Sequence, residues 1–253
     1  MKNQYITDVI DYGKYSLLRH FAMEGISVGV NWYLTQNDGS SDGKFTQYLD
    51  QGEKMRRYDP SIFDVLKSVQ GKSEKTVADI QKAGIIPGAL FYDAQLLPTG
   101  KPQERANHRK QWFYASFDVL KNAELIFMDP DNGLLKTGDG GKLHAEKYVL
   151  PEEVEKYFHD GHNVVYYCHK GRRTMQAWMD YLHLMFDRIP DAYSAVLTFR
   201  KGSRSSYVFL IHQESYPKFR KILDRVKKDW PGIFIEEFVD REKEEHHENK
   251  RNQ

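Results

Sequence analysis

Residues 123–134 contain the residue types and spacing best suited to chemistry in this chain. A short apolar run, 125–128, is followed at once by Asp129, Pro130, Asp131, Asn132 and Gly133, here called the Asp129 loop. This pattern predicts a buried strand that opens into a polar loop. In open α/β sheets, ligands bind beyond the carboxyl ends of the strands, so the two carboxylates, the proline carbonyl and the amide are candidates for catalysis. A simple turn is the alternative, because Asp-Pro begins turns and Asn-Gly ends them.

Basic residues follow two other predicted strands, where a substrate could use them. One group, after the strand 163–168, contains His169, Lys170, Arg172 and Arg173. The other, after the strand 89–92, contains Arg105 and Arg109. Loops at the carboxyl edge of a parallel sheet favour anions, which predicts a nucleic acid or another phosphate-bearing substrate. The second group also fits the polar face of a helix. His169 is a candidate general base or phosphate contact, with capping or packing as the alternative.

The elements that must position these residues alternate between strands and helices, which is typical of a largely parallel sheet covered by helices. Apolar runs predict strands at 27–34, 89–92, 125–128, 163–168, 193–199 and 206–212. Helical spacing predicts helices at 12–23, 105–122, 174–188 and 218–230, with Asp11 as a candidate cap of the first. The region 50–82 has a mostly helical pattern.

The last two predicted strands are separated only by residues 200–205, which is too short for a parallel crossover. They should therefore pair as an antiparallel hairpin. The predicted fold is an α/β, three-layer, Rossmann-like domain over 1–239, with a mostly parallel sheet that ends in this hairpin. Residues 240–253 form a charged tail without apolar periodicity.

Composition limits the class of protein more than its partners. The chain has 253 residues, with 37 Lys plus Arg against 36 Asp plus Glu, so any basic surface must be local. Its single cysteine, Cys168, excludes an internal disulfide and is predicted to be buried. We expect a cytoplasmic protein without a membrane segment, because no apolar leader and no apolar run of about 18 residues occur. The oligomeric state is not predicted.

The order of the elements, with its terminal antiparallel pair, resembles class I S-adenosylmethionine-dependent methyltransferases. In the amino-methylating branch of that family, the fourth strand ends in Asp or Asn, two prolines and an aromatic residue. Asp129 and Pro130 match the first two places, whereas Asp131 and Asn132 depart from the third and fourth. The resemblance implies that Asp129 and the Pro130 carbonyl accept hydrogen bonds from a target amine, most plausibly on a nucleic acid. It leaves no aromatic residue in the motif to stack on a base.

The resemblance also implies a site for S-adenosylmethionine near the first strand. The candidate cofactor residues are Lys14, Asn31, Tyr33, Asp38 and Asp42. The segment before the first strand often closes over the cofactor in this family, which places Lys14 there, although helix packing explains it as well. The glycine-rich turn that usually follows the first strand is absent in its usual spacing. The N-terminal segment, Asn31 and the Asp129 loop together also resemble an uncharacterised bacterial family, with no activity implied.

Two other functions are consistent with the same residues. If the loop with Asp38 and Asp42 lies beside Asp129 and Asp131, four carboxylates would converge on a site suited to Mg²⁺ or Mn²⁺. Such a metal would activate water in a nuclease or phosphohydrolase. The third hypothesis is a nucleic-acid-binding module that keeps the methyltransferase fold without catalysis.

Overall fold

The computed structural model describes residues 1–40 and 43–239, in which seven strands form one sheet. The strands are β1 Val28–Asn31, β2 Leu90–Tyr92, β3 Leu125–Met128, β4 Asn163–Cys168, β5 Tyr193–Phe199, β6 Ser205–Ile211 and β7 Phe234–Val239. The α-helices are α1 Val9–Met23, α2 Gly52–Met55, α3 Pro60–Gln70, α4 Val77–Ala83, α5 Pro102–Leu120, α6 Pro151–His159, α7 Met175–Phe186 and α8 Tyr216–Asp229.

The sheet is mixed, with the order β2-β1-β3-β4-β6-β5-β7. Its first four strands pair in parallel, and β4, β6, β5 and β7 pair antiparallel. The predicted α/β class and the antiparallel β5–β6 hairpin are confirmed, and β7 adds a further antiparallel strand beyond β5. After β1, the chain adds β2 on one side of this strand and then β3 on its other side. The strand order therefore reverses between β1 and β3. This is the kind of position where open α/β sheets bind ligands.

Helices cover both faces of the sheet because neighbouring residues of each central strand point to opposite sides. In β3, Leu125 and Phe127 pack into the core shared with α1, α3 and α8. Ile126 and Met128 pack into the core shared with α5, α6 and α7. Both cores are continuous, which fixes the end of β3 tightly. Among the described residues, no helix has the length and apolar character needed to cross a membrane.

Several predicted boundaries differ from the structure. Helix α1 begins at Val9, and Asp8, not Asp11, caps it by accepting a hydrogen bond from the Ile10 amide. The predicted strand 27–34 is shortened to β1, although the residues that follow it are buried. Strand β7 was not predicted. The predicted tail 240–253 lies outside the described residues.

Candidate functional site

A cleft of about 730 Å³ opens beyond the carboxyl ends of β3 and β4. The start of α1, the Asp129 loop, the segment 169–171 and the β5–β6 turn form its walls. Cys168 at the end of β4 pairs with Ser206 at the start of β6, so the β5–β6 turn and the loop after β4 emerge at the same edge. The cleft is lined by Met1, Tyr5, Asp8, Ile10, Asp11, Lys14, Gly43, Phe45, Asp129, Pro130, Asp131, Asn132, Tyr167, His169, Lys170, Gly171, Ser203 and Arg204.

Asp129 is held at the inner end of this cleft by a buried lysine. Its amide donates to the Asn31 carbonyl over 3.0 Å, which continues the β1–β3 pairing by one residue. The Lys14 Nζ lies 2.7 Å from Asp129 Oδ2 and 2.7 Å from Asp11 Oδ1, with all three side chains almost fully buried. Burial alone would lower the pKa of Lys14, but the two carboxylates outweigh it and hold the pKa above the usual lysine value. The ammonium therefore stays charged and fixes Asp129.

The two Asp129 oxygens have different surroundings. Oδ2 accepts from Lys14, whereas Oδ1 accepts no hydrogen bond from any residue in the described part of the chain. Asp129 and Pro130 both line the cleft. An acceptor oxygen is thus available where a ligand could reach it.

The pH dependence of stability should carry a contribution from Asp11. Burial raises its pKa from 3.8 to about 6, although Lys14 acts in the opposite direction. The folded state therefore binds the proton of the Asp11 carboxyl more tightly than the unfolded state does. The stability that this protonation contributes is complete below pH 3.8 and is lost as the pH rises through 6. We expect the unfolding free energy of the wild type, relative to Asp11→Asn, to fall by up to about 3 kcal/mol between these limits. Urea unfolding of both proteins across pH 4–7 checks this, and a pH-independent difference would contradict it.

Asp131 belongs to a second charge cluster beside the first. The Met1 amino nitrogen lies 2.8 Å from Oδ1 and the Lys2 Nζ lies 3.0 Å from Oδ2. Burial acts to raise the pKa of Asp131, but these two cations outweigh it and hold the pKa below its usual value. Lys2 also pairs with Asp38 at 2.8 Å. The loop with Asp38 therefore does lie near the Asp129 loop, with a lysine between the two carboxylates.

These clusters do not fit a divalent cation. Both Asp131 oxygens and one Asp129 oxygen already face protein ammonium groups, which occupy the positions that a metal would need. No group of three or more His, Cys, Asp or Glu side chains suited to a metal occurs in residues 1–40 and 43–239. Asp42, the fourth carboxylate of the predicted metal site, lies outside the described residues.

The predicted cofactor residues are divided by the fold. Lys14 lines the cleft, whereas Asn31 and Tyr33 are fully buried and do not. The Tyr33 hydroxyl donates to Glu153 Oε2 over 2.9 Å, and the Asn31 amide nitrogen lies 3.4 Å from the Tyr157 hydroxyl. Asp38 is partly exposed and lies outside the cleft lining.

The space directly beyond β1 is filled by the first residue of the chain. The Met1 amino nitrogen donates to the carbonyls of Tyr33 and Asp129, over 3.1 and 2.9 Å. The Met1 carbonyl accepts from the Thr35 amide over 2.9 Å. The cleft is therefore displaced from β1 toward β4 and the hairpin turn.

The predicted basic residues are also divided. His169 and Lys170 line the cleft, and burial together with Arg173 lowers the pKa of His169 below its usual value. Arg173 folds back, donating to the His169 carbonyl over 2.9 Å and stacking on Tyr181. Arg172 is exposed outside the cleft lining.

Arg105 and Arg109 lie on α5, away from the cleft. Arg105 donates to the Gly141 and Gly100 carbonyls, within a loop contact. Arg109 is 3% exposed and binds Glu153 through two hydrogen bonds of 2.7 and 2.8 Å. Both guanidinium groups thus hold parts of the fold together in this structure.

Sequence reasoning missed several residues of the cleft. Asp8, the cap of α1, and Asp11, in its first turn, both reach the cleft, and Arg204 reaches it from the hairpin turn. The sequence did contain a signal for Arg204. A turn between two antiparallel strands of this sheet must lie at one end of the strands, and here that is the end where β4 finishes. Two aromatic residues, Tyr5 and Phe45, were not indicated by any motif. Both lie in segments whose path depends on tertiary contacts, which the local sequence does not indicate.

No known protein-family profile matches this chain, and no curated protein matches it. Among solved structures, the chain is similar to the crystal structure of protein LPL1258 from Legionella pneumophila, described under family-model DUF519. The identity is 12%, the match covers 93% of this chain and 97% of that chain, and the TM-score is 0.46.

Proposed function

We propose that this protein transfers a methyl group from S-adenosylmethionine to an amino group, with a nucleic acid as the acceptor. The observation that carries the proposal is the position of Asp129 and Pro130, at the end of β3 in a cleft beside the point where the sheet reverses its direction of growth. Asp129 Oδ1 and the Pro130 carbonyl would accept hydrogen bonds from the acceptor amine. The nitrogen lone pair would then face the methyl donor.

The charges of the cleft support this division of roles. Its inner part is lined by four carboxylates, those of Asp8, Asp11, Asp129 and Asp131, and by two ammonium groups, those of Lys14 and Met1. S-adenosylmethionine carries a sulfonium and an ammonium, so the net negative charge of this inner part would favour its binding. The volume of about 730 Å³ lies in the range of small-molecule sites. When bound, the donor supplies an electrophilic methyl group.

The outer part of the cleft has the opposite charge. Lys170 and Arg204 lie on its rim, and Arg172, Arg200 and Lys201 are exposed in the two adjoining loops. Phosphate groups are attracted to such a rim, and the binding should weaken steeply with salt. A polyanion held there would place one of its nucleotides over the Asp129 loop.

Binding of the donor is the first test. Thermal unfolding with S-adenosylhomocysteine should show stabilisation, about 2.7 kcal/mol at 100 times its Kd, and the addition of Mg²⁺ or Mn²⁺ should not. Absence of any shift up to millimolar S-adenosylhomocysteine would contradict the proposed function.

The acceptor chemistry is tested by two substitutions at one position. Asp129→Asn and Asp129→Ala both remove the charge that faces Lys14, but only Asn keeps a carbonyl oxygen as acceptor. With tritiated S-adenosylmethionine and total RNA or sheared DNA, we expect Asp129→Ala to lose roughly 100-fold in rate while Asp129→Asn keeps most of it. Equal losses in the two variants would count against hydrogen bonding by Asp129.

A second candidate is binding of nucleic acid without catalysis. It is favoured by the placement of the Met1 main chain beyond β1, between the carbonyls of Tyr33 and Asp129. This candidate predicts salt-dependent binding of nucleic acid together with no response to S-adenosylhomocysteine.

A further inference from the structure

Phe45 is an exposed aromatic residue at the mouth of the cleft. Its side chain is 52% exposed, although the main chain on both sides of it is fixed. The Phe45 amide donates to Asp8 Oδ2 over 2.9 Å, and its carbonyl accepts from the Val9 amide over 3.0 Å. The ring is thus presented by an anchored segment, attached to the start of α1.

The neighbours of Phe45 hold the ring from one side. A Cβ built on Gly202 in the hairpin turn would lie 3.8 Å from Phe45 Cδ2, so the ring lies close to that turn. Gly43 has a φ of +75°, and a Cβ there would come within 2.3 Å of Tyr5 Cδ1. The segment before Phe45 therefore passes directly over Tyr5. One part of the ring is packed, and the rest faces the cleft.

We propose that Phe45 is the stacking residue of the site and holds a purine ring against its open face. This inference deepens the proposed function and rests on it. The Asp129 loop contains no aromatic residue, so the loop itself offers no such surface. Aromatic side chains beside a basic groove are a common means by which proteins bind single-stranded nucleic acids, because every base has a face that can stack. The purine belongs either to a base of the acceptor or to the adenine of the donor.

A tryptophan at this position would report stacking directly. The four native tryptophans, Trp32, Trp112, Trp178 and Trp230, are at most 8% exposed. In Phe45→Trp the new indole would be the one open to the cleft, and a stacked base should quench its emission. Tyr114→Trp is the matched control, because Tyr114 is 49% exposed on α5 outside the cleft lining.

Each tryptophan variant is titrated with three probes that distinguish the two sources of the stacked purine. They are S-adenosylhomocysteine, a single-stranded adenine-rich oligonucleotide, and an abasic oligomer of the same length and charge. We expect Phe45→Trp to be quenched by at least one of the first two and not by the abasic oligomer, while Tyr114→Trp is unchanged. Quenching by S-adenosylhomocysteine assigns the donor adenine, and quenching by the oligonucleotide assigns the acceptor base. Quenching by none, or equal quenching by the abasic oligomer, would overturn the proposal.

Truncation of the ring gives an independent measure. Phe45→Ala should weaken binding of the responding probe roughly tenfold, whereas Phe45→Tyr should bind like the wild type, as expected for stacking. An unchanged affinity in Phe45→Ala would overturn the stacking role while leaving methyl transfer intact. Failure of the proposed methyltransferase function would instead appear as the absence of any effect of S-adenosylhomocysteine on the wild type. The two failures are therefore distinguishable.

Discussion

Replacing Lys14 with methionine is expected to lower the free energy of unfolding by about 3–5 kcal/mol near neutral pH. The Lys14 Nζ lies 2.7 Å from an oxygen of Asp11 and 2.7 Å from an oxygen of Asp129. All three side chains are 3–4% exposed, so little water reaches the place of the missing ammonium. The variant would leave two carboxylates facing each other in the protein interior. Chemical denaturation at pH 7 measures the loss.

Acid should reverse much of this loss. Lys14 lowers the pKa of Asp11, so without the ammonium burial would raise that pKa further, and the variant's stability would fall as the pH rises through it. The deficit of Lys14→Met should therefore shrink between pH 7 and pH 5. Lys67→Met, on the exposed face of α3, is the control and should change stability by less than about 0.5 kcal/mol. A deficit that stays constant over this pH range would indicate lost packing instead of unpaired charge.

The sequence predicts strands well where an apolar run has sharp ends. The bounds of β4 and β5 agree with the prediction, because each run is closed by polar or glycine-containing turns. The run that contains β1 was predicted too long, since Trp32 and Tyr33 are as deeply buried in a loop as they would be in a strand. Strand β7 was missed because Glu236 and Glu237 interrupt its apolar pattern.

The candidate site was predicted in position but not in its internal contacts. A strand that ends in Asp129 and Pro130 indicates a loop at the carboxyl edge, and that loop lines the cleft. The partner of Asp129, however, is Lys14, which is 115 residues away in the sequence. Such pairs follow from how α1 packs against the sheet. The place of Lys2 between Asp38 and Asp131 has the same origin.

Arg109 shows the same limit most clearly, and its replacement should have the second large effect. Periodicity places it on a polar helix face, whereas the structure buries it on Glu153, 44 residues away. Its guanidinium also donates to the carbonyls of Ala145 and Tyr148, both over 2.7 Å. We expect Arg109→Met to lower the free energy of unfolding by about 3–5 kcal/mol, because Glu153 would remain buried without its cation.

The matched variants separate this role from the substrate contact that the sequence suggested. Arg109→Lys keeps the charge but cannot reproduce the two-pronged contact with Glu153, so it should recover only part of the stability. Lys110→Met, at the exposed neighbouring position, should change stability by less than about 0.5 kcal/mol. Denaturant unfolding and nucleic-acid affinity would be measured on the same samples. The opposite result would be an Arg109→Met variant with unchanged stability, weaker affinity for nucleic acid and a shallower salt dependence of binding. Arg109 would then be a phosphate ligand, and its buried contact with Glu153 would have to open for binding.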